Sequence, residues 1–189
     1  MQNLNPTLWR TCKMLAGQTR IRLLRQLFSH PGECVSALGK RAEIKVSAAS
    51  QELRRIQSRG LLQAERRGVH LIYRLAADPQ VSSAAPLLKA IQTACATLPP
   101  ERDGEMAVIA AGLAHERRIR IVRALLGGSL SKSALQCAVR IPDHPFHAHV
   151  DTLLESGFVI RSHNRLHVAV PDHPLAKALA KLLRQGAAR

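Results

Sequence analysis

A mainly α-helical chain with small β-hairpin wings, built twice in tandem, is the fold this sequence predicts, and three observations predict it. The first is an internal repeat: "LAGQTRIRLLRQL" at 15–27 and "LAHERRIRIVRAL" at 113–125 share seven of thirteen positions without a gap. The second is a pair of anchors at nearly the same offset, "IQSRGLL" (56–62) against "LLESGFV" (153–159), which sets Gly60 opposite Gly157. The third is a change of apolar period from 3.6 to 2 after each glycine, which turns a helix pattern into a hairpin pattern.

Each element then follows in order. Residues 7–16 predict a short helix. Thr19 is a suitable N-cap for a second helix whose Ile21, Leu24 and Leu27/Phe28 share a face. "HPG" ends it, and Val35 and Leu38 mark a short third helix. The fourth helix, 46–58, carries Val46, Ala49, Leu53 and Ile56 at steps of three and four, with Gly60 placed to stop it. "LLQAER", a turn at Arg67-Gly68 and "VHLIYRL" predict a two-stranded hairpin, and "SSAAPLLKAIQTACATL" closes the unit as a helix. Four helices, a hairpin and a helix is the order of a winged helix-turn-helix domain. The expected organisation is therefore a domain at 1–98, a linker at 99–105 ("LPPERDGE" holds two prolines, a glycine and four charges) and a second, degenerate domain at 106–189.

The net charge of +15 and pI near 11.1 point to a polyanion as partner. Three Phe, one Tyr and one Trp leave few platforms for stacking single-stranded bases, so double-stranded DNA is expected. The basic residues are spread through folded segments rather than massed on one amphipathic helix, which argues against a membrane surface. No stretch has the length of a membrane span and the N-terminus has no apolar signal run, so the expected location is cytoplasmic. Taking Leu53 as the inward direction and stepping 100° per residue, Ser47, Ala48, Gln51, Arg54, Arg55 and Ser58 fall on the outer face of the fourth helix. Small residues near its N-terminus, a glutamine suited to adenine and arginines suited to guanine or phosphate are what a major-groove helix needs. Arg66 and Arg67 at the hairpin tip suit a phosphate backbone or narrow minor groove, with His70 and Arg74 as further backbone contacts; Tyr73 reads as core. A merely solvated helix face is the plainer alternative for each.

The second copy, with Phe146, Val150 and Leu153 inward, presents His144, Pro145, Ala148, Asp151, Thr152 and Glu155. Acidic groups replace the arginines there. Residues 1–98 carry 15 Lys/Arg against 5 Asp/Glu, and residues 99–189 carry 13 against 8. The first copy is thus the expected DNA reader, and the second a fold partner with a surface open to a protein.

"LAGQTRIRLLRQL", "SAASQELRRIQSRGLL" and "AERRGVHLIYRL" resemble the arsenic-repressor-like (ArsR/SmtB-type) family of winged helix-turn-helix transcription regulators over about 8–98, with a degenerate version over about 106–184. Gln51-Glu52 stands where that family often has histidines, and Glu43 where it usually has glycine. The resemblance implies a DNA-binding regulator, a repressor, that dimerises through its first and last helices. Here that means a homodimer or an intramolecular pseudo-dimer. Metal sensors of the family carry Cys-Val-Cys, whereas this chain has Cys34-Val35-Ser36, and Arg25 stands near the place of a sensing cysteine that would pair with one like Cys95.

Cys12, Cys34, Cys95 and Cys137 have no close spacing and predict reduced thiols, with thiol sensing by Cys34, Cys95 or Cys12 as the sharper alternative. Asp143 and His147 are four apart, and His163 and His167 share a strand face. Scattered surface histidines, including His144 and His149, explain them as well, and neither metal nor cofactor is expected. No nucleophile motif or phosphate loop is present, so no enzyme is expected. A winged-helix protein-interaction module with only non-specific DNA affinity is the alternative from another class.

Overall fold

The computed structural model describes residues 7–185; residues 1–6 and 186–189, part of the expected domain ranges, lie outside the described residues. Its elements are α1 (Leu8–Leu15), α2 (Gln18–Ser29), α3 (Val35–Arg41), α4 (Val46–Gln57), β1 (Leu62–Arg67), β2 (His70–Leu75), α5 (Ala84–Thr97), α6 (Asp103–Gly112), α7 (Glu116–Leu125), β3 (Leu130–Ser131), α8 (Lys132–Val139), α9 (Asp143–Glu155), β4 (Val159–Ser162), β5 (Arg165–Val168) and α10 (Pro174–Gln185). The protein is mainly helical with two small antiparallel sheets, β1-β2 and β3-β5-β4. Four helices, a hairpin and a helix occur twice in that order, apart from a 3₁₀ turn at Pro100–Arg102 and the extra strand β3. Among the described residues no helix is long and apolar enough to cross a membrane.

Packing divides the chain into two compact units. The first contains residues 17–107. Its core is Ile21, Leu23, Leu24 and Leu27 of α2, Leu38 of α3, Ala49, Leu53 and Ile56 of α4, Leu61, Tyr73, and Leu87 and Ile91 of α5. These are positions spaced three or four apart, so each helix turns one apolar stripe inward. Thr19 is not the N-cap of α2: Gly17 is, and its carbonyl accepts the amides of Arg20 (3.0 Å) and Ile21 (3.2 Å), so the helix starts two residues earlier than the hydroxyl suggested. Val46, expected in the core, is 52% exposed, because the first turn of α4 precedes the part that meets the core. Gly39 lets α3 approach α4 closely: a Cβ there would lie 3.3 Å from the Ala49 Cβ. Between these helices Glu43 holds φ 55°, the left-handed turn conformation that glycine adopts more cheaply.

Gly60 has φ 72°, and a Cβ on it would sit 2.9 Å from Val81 Cγ2, so both backbone and space require glycine where α4 gives way to β1. The Arg67↔His70 pair closes the hairpin on Gly68-Val69, one residue later than the expected turn. Gly68, at φ 61°, takes the first central position, as in a type II′ turn. Cys34 bridges Ile72 at the edge of this hairpin, the place that β3 fills beside β5 in the second unit.

Residues 99–105, the expected linker, carry regular structure. They make the 3₁₀ turn and the first turn of α6, and Asp103 receives Arg25 from α2 through Nε (2.8 and 2.7 Å) and Nη2 (2.6 Å). Arg25 also donates to the carbonyls of Cys95 (3.0 Å) and Leu98 (3.1 Å). A proline- and charge-rich stretch reads as a spacer, but here one of its acids neutralises a buried cation.

The second unit contains, of the described residues, 8–16 and 108–185. Helix α1 therefore belongs to it and not to the expected 1–98 domain. Its buried Cys12 and Leu15 join Ile121 and Val122 of α7, Leu135 of α8, Phe146, Val150 and Leu153 of α9, Phe158, and Leu175, Leu179 and Leu183 of α10 in that unit's core. Gly157, at φ 74°, ends α9 as Gly60 ends α4. The β4-β5 turn is His163-Asn164, both with positive φ, the pattern of a type I′ turn.

Candidate nucleic-acid interface

Burial of Ala49, Leu53 and Ile56 fixes the rotation of α4 and so fixes what it shows to solvent. Ser47, Ala48, Gln51, Arg54, Arg55 and Ser58 are all exposed, as are Arg66, Arg67 and His70 on the hairpin. Ser58 serves the helix itself, because its hydroxyl donates to the Arg55 carbonyl at 2.8 Å. Val69, at the hairpin tip, is 87% exposed between the basic residues Arg67 and His70. Tyr73 is buried beneath α4 as expected; burial raises its hydroxyl pKa, and the Arg54 guanidinium offsets part of that rise.

Two carboxylates organise the arginines. Glu52 accepts from Arg20 Nη1 of α2 at 2.6 Å and from Arg55 Nη1 at 2.5 Å. On the hairpin, Glu65 accepts from Arg67 Nε and Nη2, both at 3.4 Å, and from Arg74 Nη2. Arg67, and then Arg74, hold the Glu65 carboxyl below the ordinary range. Arg54, Arg59 and Arg66 form no ion pair among the described residues. Sequence reasoning missed both carboxylates as members of the site. A signal was available: Glu52 lies three residues before Arg55 on one helix, and Glu65 two before Arg67 on one strand face.

In the second unit, α9 exposes His144, Ala148, Asp151 and Glu155, and Asp143 pairs with His147 at 3.1 Å. Arg165 of β5 is exposed and reaches Ser129, Nε donating to Oγ at 2.9 Å. The arrangement offers a duplex far less positive charge than α4 and its hairpin do.

The chain matches no protein-family model, no curated protein and no solved structure.

The thiols divide by environment. Burial pushes Cys12 up to about 12 and Cys95 up to about 11, which makes both poor nucleophiles at neutral pH. Cys34 is shifted downward, first by Ser36, whose Oγ lies 3.1 Å from its sulfur. Among the described residues no group of three or more His, Cys, Asp or Glu is close enough to hold a metal ion.

His149 of α9 packs its ring 4.5 Å from that of His115, the N-cap of α7, and its Nε2 is buried without a hydrogen-bond partner. Burial, then His115, Arg118 and Arg117, push its pKa down to about 4. Between pH 6.5 and about 4 the unfolded chain takes up a proton that the folded site refuses, so stability falls as pH falls through that window. After allowance for solvent screening the loss is about 1–2 kcal/mol. Thermal unfolding from pH 7 to 4.5 is expected to show this decline and to show less of it in His149→Leu. An equal decline in both would assign the acid sensitivity elsewhere.

Proposed function

We propose that the protein is a tandem winged helix-turn-helix regulator of transcription, a cytoplasmic repressor that binds double-stranded DNA in sequence-specific fashion. α4 enters the major groove and the β1-β2 hairpin lies against the backbone. The observation that carries this reading is the joint exposure of Gln51, Arg54 and Arg55 on α4 and Arg66 and Arg67 on the hairpin of one unit, behind a small-residue entry at Ser47 and Ala48. Gln51 would pair with adenine and Arg55 with guanine, each bidentate contact discriminating by about 1–3 kcal/mol, while Arg66 and Arg67 neutralise phosphate.

The chain pairs either as a homodimer or as an intramolecular pseudo-dimer. With one competent reader per chain, a palindromic site is recognised only when two chains pair.

Selection from a random duplex library, followed by titration at several salt concentrations, tests the proposal. The expected result is one enriched motif, whose symmetry reports whether chains pair on DNA, with log affinity falling by about 0.9 per phosphate contact as log salt rises. Salt-sensitive binding with no motif would refute sequence reading. It would favour the second reading, a protein-interaction module that uses the exposed Asp151 and Glu155 of α9.

A further inference from the structure

The two arginines given the most direct tasks, Arg55 and Arg67, are the two that the free protein already holds in ion pairs. Arg55 is 59% exposed at its side chain, but its partner Glu52 is only 17% exposed and is anchored from a distant helix by Arg20, itself 19% exposed. Glu52 is thus tied to α2 by Arg20 as well as to Arg55. Arg67 has its own carboxylate, Glu65, which Arg74 holds from the neighbouring strand. Each arginine faces a choice between a fixed carboxylate and an external acceptor, and the same unit leaves Arg54, Arg59 and Arg66 outside any ion pair.

We infer that Glu52 is a specificity-determining residue, and Glu65 its counterpart on the hairpin: each competes with DNA for an arginine, so that the arginine is released only to an acceptor better than a carboxylate. This rests on the DNA-reading role proposed above. A lone phosphate offers Arg55 about what Glu52 already offers, a charge-assisted acceptor. A guanine edge, with O6 and N7 side by side, offers a bidentate geometry in addition to the surrounding phosphates. Competition of this kind lowers binding to every sequence, and lowers it most where no guanine meets Arg55. Glu52 thus trades affinity for discrimination. Glu65 faces only backbone, so its competition weakens all sequences alike.

Full-length wild-type protein, Glu52→Gln and Glu65→Gln are to be titrated against the selected duplex and a scrambled duplex of equal length, across 50–300 mM salt. Glutamine keeps an acceptor for Arg20 while removing the charge, and Glu65 is exposed enough that its replacement leaves the fold intact. Each substitution is expected to tighten scrambled-duplex binding about eightfold at 0.1 M salt and to steepen the salt slope by about 0.9, the effect of one additional cation. Glu52→Gln should also reduce the ratio of selected to scrambled affinity several-fold, while Glu65→Gln leaves that ratio unchanged. A Glu52→Gln protein whose ratio stays at the wild-type value would overturn the specificity role and leave only charge damping. Wild-type affinities and slopes in both variants would overturn the inference entirely while the DNA-reading proposal stands. Wild-type protein that binds neither duplex would end both.

Discussion

Asp103→Ala is expected to destabilise the first unit by about 3–5 kcal/mol, more than any other single substitution considered for this protein. Arg25 is buried, its guanidinium is gripped by both Asp103 oxygens at 2.6–2.8 Å, and its remaining donors are spent on the carbonyls of Cys95 and Leu98. Removing the carboxylate leaves the cation with two neutral carbonyls and the longer-range charge of Glu101. The cost is that of an unpaired buried charge, not the net worth of the pair. For that reason Arg25→Met with Asp103→Leu should recover most of the loss, since an apolar pair of similar volume avoids the desolvation of both charges. Urea unfolding of the two single variants and the double variant gives the answer. A loss below 1 kcal/mol in Asp103→Ala would mean that solvent reaches Arg25, and that the start of α6 is not held to α2 by this contact.

The second large effect concerns binding. Changing Arg54, Arg55 and Arg67 together to alanine removes three cations from the proposed interface. It should make the slope of log affinity against log salt shallower by up to about 2.7, which is roughly 500-fold in affinity at 0.1 M salt. The single variants should differ in kind. Arg55→Ala is expected to cost about 1–3 kcal/mol on the selected duplex and to relax preference at one position, whereas Arg67→Ala should weaken every duplex alike. Circular dichroism of the triple variant should match the wild type, because all three side chains are exposed. If the triple variant keeps both motif and affinity, DNA binding lies on another surface and α4 is not the reader. If Arg67→Ala changes base preference and Arg55→Ala does not, the roles of helix and hairpin are reversed.

The sequence by itself determined most of the elements and most of their inward faces. Leu53 and Ile56 in α4, and Phe146, Val150 and Leu153 in α9, lie where a period of three to four residues put them. Burying those stripes left Gln51, Arg54 and Arg55 outside. The glycines ending both helices were legible for the same local reason, since each adopts a positive φ that other residues take at a cost. Periodicity says which side of a helix is apolar but not which core will receive it. The assignment of α1 to the second unit came only from tertiary packing, because its Cys12 and Leu15 would satisfy either core. The partners of charged groups were hidden for a related reason. Asp103 lies 78 residues from Arg25, and Glu52 lies 32 from Arg20. Nothing in a one-dimensional pattern selects such a pair; the fold does, by bringing two helices close enough that a buried cation must find the nearest acid.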